Sequence, residues 1–293
     1  MQDATDFRIF AKSRCRVGES PVWDAAASRL FWCDCQGATI FEQRLGGKTV
    51  RHPLPENVGS LGLTDDGRLI VALASGVQLY SLEDRSFSPL AEPEPGHAAR
   101  VPGDRLNDGK VGPDGAFWVG SMHKTAPTAG LFRVTGDGRS EVKVQGLSTA
   151  NGLAFSADGR TMFLSDSRAG WIDCYDLEPA TGDISNCRRI VHLTEAEGRP
   201  DGGATDLEGC YWSAGVSAGC LNRFSAAGEL LARIELPVRR PTMVCFGGDD
   251  MRTMYITSIR RPDDAGAHCG DVITMRADVP GVPAHVFRTG AAA

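Results

Sequence analysis

Four short segments put acids, amides or arginine where the surrounding pattern calls for apolar strand residues. They are Gly18-Glu19-Ser20-Pro21-Val22-Trp23, Asp104-Arg105-Leu106-Asn107-Asp108-Gly109-Lys110, Ala150-Asn151-Gly152-Leu153-Ala154-Phe155, and the acid-rich run from Arg199-Pro200-Asp201 through Asp206 and Glu208. Carboxylate and amide oxygens are hard ligands, suited to Ca²⁺, Mg²⁺ or Mn²⁺ when several converge with room left for water and a substrate. Asn and Asp beside Gly are also common turn formers, so any one of these segments alone reads as a loop. Their spacing ahead of the elements that follow them sets them apart.

Those elements are six apolar, aromatic-rich runs. They are Arg29-Leu-Phe-Trp32, Arg68-Leu-Ile-Val71, Ala116-Phe-Trp-Val119, Thr161-Met-Phe-Leu164, Cys210-Tyr-Trp-Ser213 and Thr253-Met-Tyr-Ile256. Successive runs start 39 to 49 residues apart, the length of a four-stranded propeller blade. Asp-Gly turns at Asp66-Gly67, Asp114-Gly115 and Asp158-Gly159 introduce three of them, a strong signal of turn then strand. A second run follows most of them, as in Gly76-Val-Gln-Leu-Tyr80 and Gly130-Leu-Phe-Arg-Val134. Helical periodicity is scarce, and the best candidate, 193–198, spans only about one and a half turns. The fold expected is all-β: a six-bladed β-propeller with four-stranded antiparallel blades, forming a single domain over 1–293.

Glu19, Asn107, Asn151 and Asp201 stand 10, 9, 10 and 9 residues ahead of their respective runs. Equal offsets in a ring of like units mean equal depth, so the four side chains should converge on the ring axis. Trp32, Trp118 and Trp212, inside the runs, are expected to pack between blades.

Composition narrows the function. Lys plus Arg number 31 against 37 Asp plus Glu, a formal charge of -6, with the basic residues dispersed. Nucleic acid is therefore not expected as a partner. Apolar stretches such as 69–74 are too short to span a bilayer, and the first ten residues carry Asp3 and Asp6 without an apolar run. No membrane association is expected, and the expected compartment is the cytoplasm. Nine cysteines, an odd number, suggest reduced thiols. Cys33 and Cys35 should share a strand face, but no second pair lies near enough in sequence for a four-cysteine zinc site. Gly215-Val-Ser-Ala-Gly219 matches the serine-hydrolase elbow, yet a strand follows it rather than a helix, so Ser217 is expected in a hairpin. Gly47-Lys48-Thr49 lacks the first glycine of a phosphate-binding loop, and the six histidines form no zinc-protease pairing.

Taken together, the four polar segments resemble those of the SMP-30/gluconolactonase/regucalcin family, from about Val17 to Pro262. The correspondences are Gly18-Glu19-Ser20-Pro21-Val22-Trp23, Arg105-Leu106-Asn107-Asp108-Gly109-Lys110, Asn151-Gly152-Leu153, and Pro200-Asp201-Gly202 with Asp206, Glu208, Gly209 and Trp212. The resemblance implies a six-bladed propeller that hydrolyses a sugar-acid lactone to the free aldonic acid. It implies one divalent ion, Ca, Mg, Mn, Zn or Fe, held by Glu19, Asn151 and Asp201. Arg105 and Asn107 would then contact the substrate. On this reading the metal polarises the carbonyl, Asp201 also acts as general base, and Asp206 orients Asp201 or its loop. Regucalcin-like members carry a Glu soon after the strand that follows the Arg-x-Asn-Asp-Gly-Lys motif, whereas Ser121-Met122-His123-Lys124 stands here. His123 is a candidate substrate contact, with a plain loop histidine as the alternative. The partner expected is a small sugar lactone, and the protein a monomer or small homo-oligomer. Two other readings stay open: a non-catalytic propeller that binds metal or a sugar acid, and a paraoxonase-like esterase.

Overall fold

A computed structural model describes residues 6–96, 103–262, 264 and 268–290. Six sheets built on antiparallel strands follow one another along the chain, each with four strands in chain order, except that the second gains a fifth, parallel strand and the sixth takes its outermost strand from early in the chain. Their innermost strands are Gly18–Asp24, Val58–Thr64, Arg105–Val111, Ala150–Phe155, Pro200–Thr205 and Pro241–Gly247. This is a six-bladed β-propeller. The six apolar runs form the second strands, Arg29–Asp34, Leu69–Leu73, Phe117–Met122, Thr161–Asp166, Tyr211–Gly215 and Thr253–Ser258. Their residues are buried on both faces, except some at the ends, because each blade is sandwiched between two others. That explains near-continuous apolar sequence where a half-exposed strand would alternate.

The core is divided into six clusters, one for each seam between consecutive blades. Trp118 packs against blade four and Trp212 against blade six. At the seam that closes the ring, Trp23 of blade one stacks on Tyr255 of blade six with centroids 5.4 Å apart. Each such large side chain contributes about 1.5–3 kcal/mol by leaving water, so the seams hold the ring together. Closure is sealed by the strand Arg8–Ala11, which pairs with Val272–Arg276 as the outermost strand of blade six. An early strand thus completes the last blade and ties the two ends of the ring together.

Turn chemistry places the strands. Gly67, Gly115 and Gly159 have φ of 83°, 76° and 70°, the left-handed region that their Asp-Gly turns require. Ser217 lies in the hairpin turn before Cys220–Phe224, accepting from Arg199 N and donating to Glu195 O. The helical candidate at 193–198 is a turn instead. Thr194 donates its N–H and Oγ1 to the Glu197 carboxylate at 2.9 and 2.7 Å, a local bond that competes with helix. No described residue is helical, and no helix among them is long and apolar enough to cross a membrane.

The late segment around 280–287 crosses the end of the channel where the inner strands finish. Val282 N donates to Thr205 O and Gly281 N to Met251 O, and Val286–Phe287 pairs in parallel with Leu63 and Thr64. Beneath it lies a cavity of about 60 Å³, lined by Lys110, Phe155, Thr205, Cys245 and His285 among others. His285 Nε2 is buried and finds no partner among the described residues, and burial pushes this imidazole below its usual value. A histidine with a lowered folded-state pKa binds fewer protons folded than unfolded near pH 6. Stability should therefore fall as pH drops through about 6.5, by at most about 1.4 kcal/mol per pH unit from this group. Urea titrations at pH 5 to 7.5 should show a shallower fall for His285→Gln than for the parent.

Candidate metal and substrate site

Every innermost strand breaks its ladder at the same depth. Register shifts fall between Glu19 and Val22, Val58 and Ser60, Leu106 and Gly109, Asn151 and Ala154, Pro200 and Gly203, and Pro241 and Met243. A bulge frees backbone groups and re-aims side chains, and here six of them form one tier around the axis. Ser20, directly after Glu19, has φ 49°, and Gly152, directly after Asn151, has φ 62°. At Ser20 the left-handed strain is held by its hydroxyl, which accepts from Leu61 N at 2.9 Å. At Gly152 a methyl group would overlap Tyr211 Oη and Ser165 Oγ, so glycine is required twice over.

The tier brings three predicted residues into one chain of hydrogen bonds. Asn107 Nδ2 donates to Asn151 Oδ1 at 2.8 Å, and Asn151 Nδ2 donates to Asp201 Oδ1 at 2.7 Å. Ser167 steadies the middle member, accepting from Asn151 Nδ2 at 2.7 Å while donating to Pro200 O. Glu19 joins them electrostatically. Burial first, then the Asp201 charge, pushes the Glu19 carboxyl well above its usual range, with Cys35 and Asp108 adding to the shift. Asp201 is pushed up to about 7 by burial and by Asp108, against the pull of Arg199 and Arg105. Among the described residues no ammonium or guanidinium hydrogen-bonds to either carboxylate. Two crowded, desolvated carboxylates with no bonded cation form a site where a positive ion is favoured.

Arg105 opens the inner strand of blade three, with Nη1 donating to Leu106 O at 2.8 Å, and its charge reaches Asp201. His123 directly follows the second strand of blade three, one residue past Met122, which pairs with Arg105. It is 2% exposed; its Nδ1 lies 2.8 Å from Thr128 Oγ1 and its Nε2 3.2 Å from Glu94 Oε1. Ser121 Oγ also donates to Glu94 at 3.0 Å. Glu94 thus sets a carboxylate, carried on the exit loop of blade two, over the stretch Ser121-Met122-His123. Sequence inspection passed over Glu94; the only hint is its place between Pro93 and Pro95, which stiffen the loop.

Asp206 is at the other end of its strand from Asp201, about 16 Å along at strand rise. Its carboxylate accepts from Glu208 N, Cys210 N, Trp212 Nε1 and Arg223 Nε at 2.8–3.0 Å. It organises the loop into the second strand of blade five and does not touch Asp201. Glu208 pairs with Arg223 at 2.7 Å. Cys33 and Cys35 share a strand face as expected, with Sγ atoms 3.9 Å apart.

Two residues given no role by sequence inspection occupy the channel below the tier. Asp108 Oδ2 accepts from Leu153 N at 3.2 Å, and Lys110 Nζ donates to Gly203 O at 2.8 Å. Asp108 Oδ1 is buried with no partner among the described residues.

Comparison with known proteins agrees with the fold. The chain is 36% identical over 280 residues to a 6-deoxy-6-sulfogluconolactonase of Pseudomonas putida, covering 92% of this chain and 94% of that relative. It is 31% identical over 280 residues to an L-arabinolactonase of Azospirillum brasilense, covering 92% and 91%. The crystal structure of a calcium-binding regucalcin from Agrobacterium tumefaciens superposes with a TM-score of 0.90 at 25% identity, over 97% of this chain and 98% of that one. The SMP-30/Gluconolactonase/LRE-like region model matches residues 17–260, which contain all six inner strands and the whole tier, and the chain belongs to that family.

Proposed function

We propose that this protein is a lactonase that hydrolyses a sugar-acid lactone to the free aldonic acid with the help of one divalent metal ion. The observation that carries the reading is the pair Glu19 and Asp201, a half-buried and a buried carboxylate beside the amide of Asn151, with the Asp201 charge raising the proton affinity of Glu19. The relatives named 6-deoxy-6-sulfogluconolactonase and L-arabinolactonase support the substrate class.

The donor set fits a hard divalent ion. Among the described residues no three His, Cys, Asp or Glu side chains gather as metal ligands, so an ion here relies on the amide as well as the two carboxylates. Asn151 would offer its amide oxygen, and Glu19 and Asp201 one oxygen each. When bound, the ion supplies Lewis acidity to the ester carbonyl, lowering the cost of negative charge on its oxygen.

The side chains do the rest. Asn107 and Arg105, at the channel mouth, bind hydroxyls of the sugar and fix the ring over Asp201. The free oxygen of Asp201 takes a proton as the water oxygen bonds to the carbonyl carbon. It returns the proton to the ring oxygen as the C–O bond breaks, leaving a hydroxy acid. A carboxylate raised toward 7 is a competent base near neutrality, although ligation lowers it again. The segment around 280–287 crosses the far end of the channel, so substrate would enter from the opposite side. Buried charges left unpaired would penalise a greasy ester, which favours polyhydroxylated substrates.

Stripping the protein with a chelator should abolish lactone hydrolysis and lower the melting temperature. Restoring one divalent ion at about 100 times its Kd should return about 2.7 kcal/mol of stability together with the activity. Full activity in stripped protein, verified metal-free by elemental analysis, would defeat the metal-dependent reading.

A further inference from the structure

We propose that Asp108 and Lys110 are positioning residues that brace the bulges carrying Asn151 and Asp201 from across the channel. The inference rests on the ligand reading above and assigns a task to a buried carboxylate and a part-buried ammonium that the reaction itself does not use.

Asp108 and Lys110 are two apart on the inner strand of blade three, so they project to the same face. Each reaches a different neighbour. Asp108 Oδ2 accepts from Leu153 N on blade four at 3.2 Å, inside the segment where pairing lapses between Asn151 and Ala154. Lys110 Nζ donates to Gly203 O on blade five at 2.8 Å, where pairing resumes after the lapse that began at Pro200. The contacted residues lie two positions beyond Asn151 and two beyond Asp201. One strand therefore holds both bulges, one through a backbone atom inside the lapse and one through a backbone atom at the far end of it. Gly109 makes this close approach feasible, since a Cβ there would meet Ser60 Oγ and Trp118 O.

The charges matter as well as the hydrogen bonds. Asp108 and Lys110 favour each other's ionised forms while burial opposes them. A largely desolvated pair of this kind stabilises a fold less than apolar packing of equal volume; what it adds here is directional restraint. Asp108 Oδ1 has no donor among the described residues, and its charge falls on both Glu19 and Asp201. It thereby deepens the negative potential at the ligands without occupying a ligand position. Outer partners of metal ligands typically govern about 10–100-fold in affinity.

The test compares the parent with Asp108→Ala, Asp108→Asn, Lys110→Met and the Asp108→Ala/Lys110→Met double variant, in two measurements. Calorimetric titration with Mn²⁺ should show Kd weakened by about 10–100-fold in Asp108→Ala and Lys110→Met, and by less than the product of the two in the double variant. Hydrogen exchange on the metal-free proteins should show peptides spanning 151–154 accelerated in Asp108→Ala, and those spanning 201–204 accelerated in Lys110→Met, with blade one unchanged. Asp108→Asn, which keeps an acceptor for Leu153 N, should restore the exchange protection but not the Mn²⁺ affinity. Exchange and affinity within about twofold of the parent in the Ala and Met variants would overturn the brace, as would acceleration spread evenly over all blades. Failure of the parent to bind Mn²⁺ would sink the ligand reading alone, because the exchange rates still report whether the bulges are held.

Discussion

Asp201→Asn should lower kcat by about 10³-fold, the range expected when a positioned general base is lost, while leaving the fold intact. The substitution keeps the shape of the side chain and an oxygen that can accept from Asn151 Nδ2, now 2.7 Å away. It removes the negative charge and the ability to take a proton from water. Affinity for the divalent ion should weaken less than turnover, since an amide oxygen remains available. The contrast is the informative part. If kcat and metal affinity fall by the same factor and excess metal restores the rate, Asp201 acts only as a ligand, and the base must be sought elsewhere. Initial rates at saturating metal, with melting temperature as the folding control, decide the matter.

Glu19→Gln is the second large effect, and its sign differs between metal and fold. Affinity for the ion should fall by more than about 100-fold, since outer partners alone account for about 10–100-fold. The metal-free variant should nevertheless be more stable than the metal-free parent at pH 8. Glu19 has its folded-state pKa raised by burial and by Asp201, so the folded protein binds more protons than the unfolded chain above pH 4.5. Stability from the protonated form is present at low pH and lost as pH rises through the raised folded value. Gln cannot ionise, so it escapes that loss; a gain of order 1 kcal/mol corresponds to about 2–4 °C. The difference should vanish near pH 4. A metal-free Glu19→Gln protein that melts below its parent at pH 8 would show that the Glu19 charge is compensated within the apo fold.

The ring was legible because its two signals are periodic and local. Each second strand is buried on both sides, which leaves an apolar run, and each turn before it needs a left-handed residue, as Gly67, Gly115 and Gly159 illustrate. The tier was legible for the same reason, since the bulge recurs at one depth and Glu19, Asn107, Asn151 and Asp201 inherit a common offset. Contacts between blades left no such trace. Asp206 looked tied to Asp201 by proximity in sequence, yet an extended strand separates them and Asp206 serves Trp212 and Arg223. Glu94 reaches His123 from the preceding blade, and Asp108 and Lys110 act on residues 45 and 93 positions away. At 194–197, side-chain bonds between Thr194 and Glu197 satisfy the backbone in a turn, which a short periodic pattern cannot distinguish from a helix.

The central claim is metal-dependent opening of a sugar lactone, and proton release in a pH-stat tests it most directly. The metal-loaded protein should be offered a panel of five- and six-carbon aldonolactones, with spontaneous ring opening subtracted and chelator-stripped protein run beside it. The account predicts saturable acceleration on one or a few of these lactones, lost on stripping and restored by a single divalent ion. No acceleration on any lactone, from protein that calorimetry shows to be metal-loaded, would contradict it and leave a propeller that binds an ion without turning over a lactone.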